Sequence, residues 1–380
     1  MIARVVLVTT SFPESVLGSE AAGGFVSDFA AALSRRVEVA VVAPGADTGR
    51  ARSGDVRVFR YRAPVQPLSL LRPRSPAHWP AILQTLKNGG RALEAALNHR
   101  PADHVLALWA LPSGYWASRC ARRNGTPYSV WALGSDIWTL GRVPLVRSIL
   151  RRVLRGAAHR FADGYKLAED VRRISDMSCH FLASARRFPV SGNPRRRRGP
   201  PYRLAYLGRW HRNKGTDLLL AALDRLPERA WARIEAVRVA GGGPLDADIR
   251  TACEALESKG RPLMLEGYLD PNEAAALFSW ADFICIPSRI ESIPVVFSDA
   301  LQARRPVIAT PVGDLPRLLN DGAAGILSKA TSVAAYAAAI ESAVTLPTGS
   351  LGEGLDTLRR QFEVEAIAGD FLNRIGKTPA

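Results

Sequence analysis

Apolar positions along the chain fall into short β-branched and aliphatic runs that alternate with longer stretches of helical period. "RVVLVTT" near the N-terminus predicts a strand, "GGFVSDFAAALSRR" a helix, and "VEVAVVAP" the next strand. "VRVFRYRAP" predicts another strand, "ALEAALNHR" a helix and "HVLALWA" a strand. A helix then begins at about Ser113, "YSVWALGSD" is a strand, and a helical stretch runs from about 144 to 159. The alternation restarts at "YRLAYLG" and passes through "GTDLLLAALDRL", "AVRVAGGGP", "DADIRTACEALESKG", "PLMLEGYL", "NEAAALFSWA", "DFICIPS" and "RPVIATP". Strands alternating with helices predict parallel, doubly wound sheets.

Between the two series lies "RRFPVSGNPRRRRGPP" (186–201), whose prolines and arginines mark a linker. The expected architecture is α/β, with two Rossmann-like domains facing each other across a cleft. The first spans 1–188, the Pro/Arg-rich linker 189–201, the second domain 202–352, and a helical tail 353–380 able to cross back to the first domain. Leu358, Phe362, Phe371, Leu372 and Ile375 are expected on one apolar face of that tail. Residues 64–80, rich in Pro and Arg, read as a surface excursion.

Composition permits this plan: 380 residues, 47% of them hydrophobic, supply two cores. Cys120, Cys179, Cys253 and Cys285 have neither CxxC nor metal-ligand spacing and read as reduced, buried thiols. The N-terminus lacks a long apolar core and a small-residue cleavage site, so it reads as a strand rather than a leader. No apolar run approaches the roughly 20 residues that span a bilayer. The net charge of +16 is unevenly spread: residues 1–190 hold 27 basic against 13 acidic residues, residues 191–380 hold 24 against 22. A basic front half attracts phosphates, nucleic acid or anionic lipid.

Candidate chemistry gathers in the second series. "YLGRWHRNKG" places Gly208, Arg209, Lys214 and Gly215 after a strand, where ligands of open α/β sheets bind. Arg209 offers a planar fork and Lys214 a point charge, which suit a diphosphate; a basic surface turn accounts for them equally. "VAGGGPL", with Gly242 at its centre, allows close backbone approach to a ligand. It is not GxGxxG, which weighs against a nicotinamide dehydrogenase. Asp246 and Asp248 form a literal DxD, but at a predicted helix start carboxylates serve the free N–H groups and the dipole. In "PSRIESIPVVFSDAL", Ser292, Ile293 and Val295 are expected to offer N–H groups at a helix N-terminus. Glu291 precedes them and Asp299 follows one turn into the helix. A carboxylate only accepts hydrogen bonds, so these acids suit a sugar or ribose, or simply a charged helix start.

Taken together, G-R-x4-K-G, AGGGP, PS-x2-E-x7-acid, "RPVIAT" and "GDLPRLL" resemble the retaining GT-B-fold glycosyltransferases of the family-4 type. The front half agrees: "GG" at 23–24 opens the first helix, "WALPSG" matches W-x2-P-x-G, and "LGSD" (133–136) stands where HGxD is usual. The resemblance covers nearly the whole chain. It implies that Arg209 and Lys214 neutralise the diphosphate of a nucleotide-sugar donor. Gly24 and the backbone of Ser292, Ile293, Pro294 and Val295 would contact phosphate or sugar. Glu291 would bind sugar hydroxyls, Asp299 the ribose, and Gly267 and Tyr268 would line the nucleobase pocket. Asp136 would face the acceptor. The family works without a metal or other cofactor, the leaving phosphate helping to take the acceptor proton. Three positions depart from its pattern: Asp299 replaces Glu, "SIP" with Pro294 replaces GFG, and Leu133 replaces the His of HGxD.

In this fold the front domain binds the acceptor, so its positive charge implies an anionic one. Arg147, Arg151 and Arg155 line one face of the predicted 144–159 helix, as for a basic amphipathic helix on an anionic membrane. The expected protein is a cytoplasmic transferase, peripheral at the inner membrane face. It would move a sugar to a lipid-linked or glycan acceptor in cell-envelope or exopolysaccharide synthesis. A nucleotide-sugar epimerase or a phosphorylase of the same fold, and a basic nucleic-acid-binding protein, are the alternatives. No nucleic-acid motif is present, and base-stacking aromatics among the arginines are sparse.

Overall fold

The strand–helix series of the sequence become two sheets, each the core of its own unit. The computed structural model describes residues 2–13, 23–64, 75–189, 199–319, 324–346, 351 and 353–377. One unit comprises Met1–Arg186 with Val364–Ala380, the other Arg187–Glu363.

The first unit holds an eight-stranded sheet in the order β3-β4-β2-β1-β5-β6-β7-β8. Its strands are β1 (Arg4–Val8), β2 (Glu38–Gly45), β3 (Gly49–Ser53), β4 (Val56–Arg62), β5 (His104–Leu108), β6 (Tyr128–Ala132), β7 (His159–Ala162) and β8 (His180–Phe181). All neighbours pair in parallel except β3, which folds back antiparallel on β4. The helices are α1 (Gly24–Ser34), α2 (Trp79–His99), α3 (Ser113–Asn124), α4 (Ser135–Trp138), α5 (Pro144–Gly156) and α6 (Tyr165–Ser175). β1 is buried along its whole length because helices cover both faces of a parallel sheet. On one face Val6, Val8, Val42, Phe59 and Tyr61 pack with Leu93 and Leu97 of α2 and Val153 and Leu154 of α5.

Local pattern missed several features here. α2 starts at Trp79, well before "ALEAALNHR", because Pro80 sits in its first turn, where a missing N–H costs nothing. β3 is exposed at all five residues and has no apolar signal to predict it. α6, β7 and β8 were likewise not anticipated. Of the expected surface excursion, residues 65–74 lie outside the described residues, and 76–80 enter a 3-10 turn and α2.

The second unit holds a six-stranded parallel sheet ordered β11-β10-β9-β12-β13-β14. Its strands are β9 (Tyr202–Arg209), β10 (Ile234–Gly242), β11 (Leu263–Glu266), β12 (Phe283–Ile286), β13 (Val307–Ala309) and β14 (Gly325–Leu327). The helices are α7 (Thr216–Asp224), α8 (Glu228–Trp231), α9 (Asp246–Ser258), α10 (Pro271–Trp280), α11 (Val295–Gln302), α12 (Leu315–Leu318), α13 (Val333–Thr345) and α14 (Glu353–Gln361). The chain leaves each half of this sheet in opposite directions from β9 and β12, which lie side by side. That adjacency is the topological switch point of a doubly wound sheet, where the loops part and leave a crevice.

Residues 190–198 of the expected linker, including Arg195–Arg198, lie outside the described residues. Phe188 already packs in the second unit, its ring 4.8 Å from that of Phe278 and its N–H donating to Gln302 Oε1. The tail is two helices rather than one. α14 belongs to the second unit, and Phe362 just beyond it meets Phe297 at 5.6 Å. α15 (Val364–Ile375) returns to the first unit, where Phe371 meets Phe29 at 5.8 Å and Phe161 at 5.6 Å. Phe362 and Phe371 therefore serve different cores and do not share one helix face. Leu358 and Leu372 are only half-buried.

Candidate active site

At the switch point of the second unit, the loop after β9 and the loop after β12 bring a lysine and a glutamate together. Lys214 Nζ donates to Glu291 Oε1 in a close ion pair, with the glutamate side chain largely buried. Gly215, at φ +74°, makes the approach possible: a Cβ there would lie 1.9 Å from Pro287 O. On the other side Gly313, at φ +55°, lies against Glu291 and Ser292, where a Cβ would fall 1.9 Å from Ser292 O. Asp314 N–H donates to Ser292 O at 3.0 Å, so the Glu291 segment is held from both flanks. The β9–α7 loop is a tight turn in its own right, since Lys214 N–H donates to His211 O at 2.8 Å.

Arg209 ends β9 beside Gly242, its register partner on β10, and is exposed. Trp210 N–H donates to Gly242 O at 2.8 Å, closing this edge of the crevice. Tyr268, 74% exposed, lies on the glycine turn: a Cβ at Gly242 would sit 2.7 Å from its ring. Gly267 O accepts from Gly241 N–H at 3.1 Å. Arg209, Gly242, Gly267 and Tyr268 thus occupy the carboxyl ends of three neighbouring strands, a cation and an open aromatic face around a glycine floor. Asp246 opens α9 and pairs with Arg250 at 2.8 Å, the part of a helix-start carboxylate. Among the described residues no cluster of His, Cys, Asp and Glu is arranged to hold a metal.

Two expectations in this unit meet a different local structure. Asp299, expected at a ribose, is fully buried within α11, with Ser298, Ala300 and Leu301 buried beside it in the helix. α11 is packed nearly all round at this level, and a side chain one methylene shorter than glutamate stays inside. Ser292 and Ile293 precede the helix rather than starting it. Pro294 is the N-cap, and Val295 is the first helical residue. Because proline lacks an N–H, the donors of the first turn begin at Val295, 37% exposed.

Arg289 and Asp217 were not singled out from the sequence. They form a bidentate pair at 2.7 and 2.8 Å between the same two loops. Opposite charges on loops leaving adjacent strands carry that signal only once the strand order is known.

In the first unit Gly24 begins α1, with open space around it. Asp136 was expected to face an acceptor, and the structure buries it instead, at 2% exposure. Its Oδ2 accepts from Ala110 N–H at 2.6 Å and its Oδ1 from Leu133 N–H at 3.2 Å. It therefore staples the loop after β5, where Trp109 has φ +65°, to the loop after β6. Burial pushes its pKa up to about 6, against the pull of those backbone donors. On α5, Arg147, Arg151 and Arg155 are exposed, and so are Leu145 (82%) and Ile149, while Leu150, Val153 and Leu154 are buried. The helix contains no acidic residue.

Residues 201–345 match the family described as glycosyl transferases group 1, and residues 21–178 match the glycosyl transferase 4-like domain. A D-inositol 3-phosphate glycosyltransferase of Corynebacterium aurimucosum is 30% identical over 178 residues, 45% of this chain and 42% of that protein. A glycogen synthase of Thermus thermophilus is 36% identical over 128 residues, 34% of this chain and 28% of that protein. The chain thus covers less than half the length of these relatives. Among solved structures, sucrose-phosphate synthase of Thermosynechococcus elongatus superimposes with a TM-score of 0.76 at 19% identity, covering 98% of this chain and 99% of that one. The Anabaena protein HepE in complex with UDP-glucose gives 0.69 at 13% identity over 98% and 99% of the two chains. These likenesses concern the fold.

Proposed function

The chain belongs to the group 1 glycosyltransferases of the GT-B fold, and from that membership we infer that it transfers a sugar from a nucleoside diphosphate to an anionic acceptor. The observation that carries this reading is the meeting of Lys214 and Glu291 at the switch point of the second sheet. A diphosphate in that crevice finds Lys214 and Arg209, whose positive charge offsets the charge that develops on the leaving group. No metal is called on in this scheme, because the two side chains supply the compensation. Glu291, exchanged from Lys214 by the phosphates, is free to accept from the hydroxyls of the sugar. Tyr268 offers a face for the base. Transfer with retention of configuration follows if the acceptor attacks from the side of the leaving phosphate, which takes its proton. Relatives named for D-inositol 3-phosphate act on a phosphorylated acceptor, in keeping with the basic front half of this chain.

For the acceptor's location we read α5 as a membrane-surface helix. Arg147, Arg151 and Arg155 would meet anionic headgroups while Leu145 and Ile149 enter the acyl boundary. On this reading the enzyme works at the inner membrane face on a lipid-linked glycan in envelope or exopolysaccharide assembly, a reading supported by the exposed basic and apolar residues of α5. No helix among the described residues is long and apolar enough to cross a membrane.

The direct test is a turnover screen over UDP-, GDP- and ADP-sugars, with the anomeric configuration of the product read by NMR. Full turnover by Glu291→Ala would remove the site assignment. Vesicles of phosphatidylglycerol should bind the protein at low salt, and the triple variant Arg147→Glu, Arg151→Glu, Arg155→Glu should release it.

A further inference from the structure

Arg289 stands on the loop leaving β12, two residues before Glu291, and reaches across to the loop that carries Lys214. Its Nη1 donates to Asp217 Oδ1 at 2.7 Å and its Nη2 to Asp217 Oδ2 at 2.8 Å. Nη1 also donates to Arg212 O at 2.7 Å, within the β9–α7 loop itself. The main chain repeats the connection, Arg289 N–H donating to Asn213 O at 2.7 Å. Residues 212 and 213, immediately before Lys214, are therefore fixed to residue 289. Asp217, at the first turn of α7, fixes the same loop from its far end.

A fork-on-fork pair sets direction as well as distance, which a flexible ammonium cannot reproduce. Both side chains are about two-thirds to three-quarters buried, so the pair is partly shielded from water. Without it, the two loops would still meet at Gly215 and Pro287 and through the Arg289 N–H to Asn213 O bond, but the segment bearing Lys214 would lose the side-chain fork that sets its direction.

We propose that Arg289 and Asp217 are positioning residues that clamp the Lys214 loop to the Glu291 loop and so hold the Lys214 ammonium where a diphosphate takes its charge. This rests on the reading of the crevice as a nucleotide-sugar site. Arg289 touches no ligand in this scheme; its whole effect passes through Lys214. Asp217→Asn loosens the clamp with less disturbance to the fold than Arg289→Ala, and Arg289→Lys keeps the charge without the fork.

The test is a double-variant cycle on nucleoside diphosphate affinity, measured by calorimetry with UDP, GDP and ADP on the full chain. Arg289→Ala and Asp217→Asn should each weaken the preferred diphosphate about tenfold, and Arg289→Lys should recover only part of that loss. In a Lys214→Ala background, Arg289→Ala should cost less than twofold more, because the group it positions is gone. Thermal midpoints of the single variants should stay close to the parent's. Losses that add independently of Lys214 would overturn the clamp, since Arg289 would then meet the ligand itself. Unchanged affinity in Arg289→Ala and Asp217→Asn would overturn it too, and so would an affinity loss matched by a collapse of the thermal midpoint in Asp217→Asn. If the parent protein binds none of the three diphosphates, the donor-site reading fails and the clamp with it. Parent binding with intact variant binding sinks the clamp alone.

Discussion

The first unit should lose stability in mild acid through one buried imidazole. His104 begins β5 at 2% exposure, its Nε2 2.8 Å from Ser129 Oγ. The rings of Phe371 on α15 and His159 on β7 lie 6.2 and 6.5 Å away. Burial, then the proximity of His159, push its pKa down to about 3 from 6.5. Between those values the unfolded chain binds a proton that the native chain refuses, so stability falls as pH drops through 6.5. The full span corresponds to about 5 kcal/mol. By pH 5 about 2 kcal/mol of it is lost relative to pH 7.5. His159 and His180 are also lowered, by burial first and then by neighbouring cations that include Arg374, with Asp370 opposing at His180, and they act in the same direction. Asp136 acts oppositely. Its pKa is raised from 3.8 to about 6, so the native chain holds the extra proton and gains about 1 kcal/mol on going down to pH 5. The net acid effect in the parent is therefore a loss of at least about 1 kcal/mol by pH 5, and single variants separate the terms. His104→Gln should turn the pH 7.5 to 5 change more stabilising by about 2 kcal/mol, and Asp136→Asn more destabilising by about 1 kcal/mol. Urea unfolding at stepped pH, read by hydrogen exchange in peptides covering β5 and β6, measures both. A His104→Gln variant with the parent's pH dependence would refute the reasoning.

Three further outcomes follow from the geometry. Glu291→Gln removes the partner that competes for Lys214, so nucleoside diphosphate should bind about threefold tighter while sugar transfer falls roughly tenfold to a hundredfold; calorimetry and initial rates check the two together. Gly215→Ala must place a Cβ against Pro287 O at φ +74°. Diphosphate affinity should drop, with a stability loss of about 1–3 kcal/mol in chemical denaturation. Phe371→Ala empties a fully buried site on α15 between Phe29 and Phe161, and should cost the first unit about 3–5 kcal/mol.

Much of this protein is legible in one dimension because its signals are local. A β-branched run such as "RVVLVTT" and the period of "DADIRTACEALES" depend on residues within one turn or one strand, and β1 and α9 follow them. Glycine-rich turns after strands are equally local, so Gly215 and the glycines at 241–243 mark the carboxyl-end side of the second sheet. The segments that escaped are those whose structure is set by neighbours. β3 owes its conformation to pairing with β4, and the break between α14 and α15 reflects which core Phe362 and Phe371 enter.

Sequence alone determined the two βα series, the basic front half, and the residue types able to bind a diphosphate and hydroxyls. Only the tertiary structure decided which of those residues share a space. Strand order brings the loops of Lys214 and Glu291 together although 77 residues separate them. Burial withdraws Asp136 and Asp299 from the surface on which motif matching had put them. Spacing along a chain specifies which face of an element a side chain leaves from. What that face meets depends on the packing of elements distant in sequence.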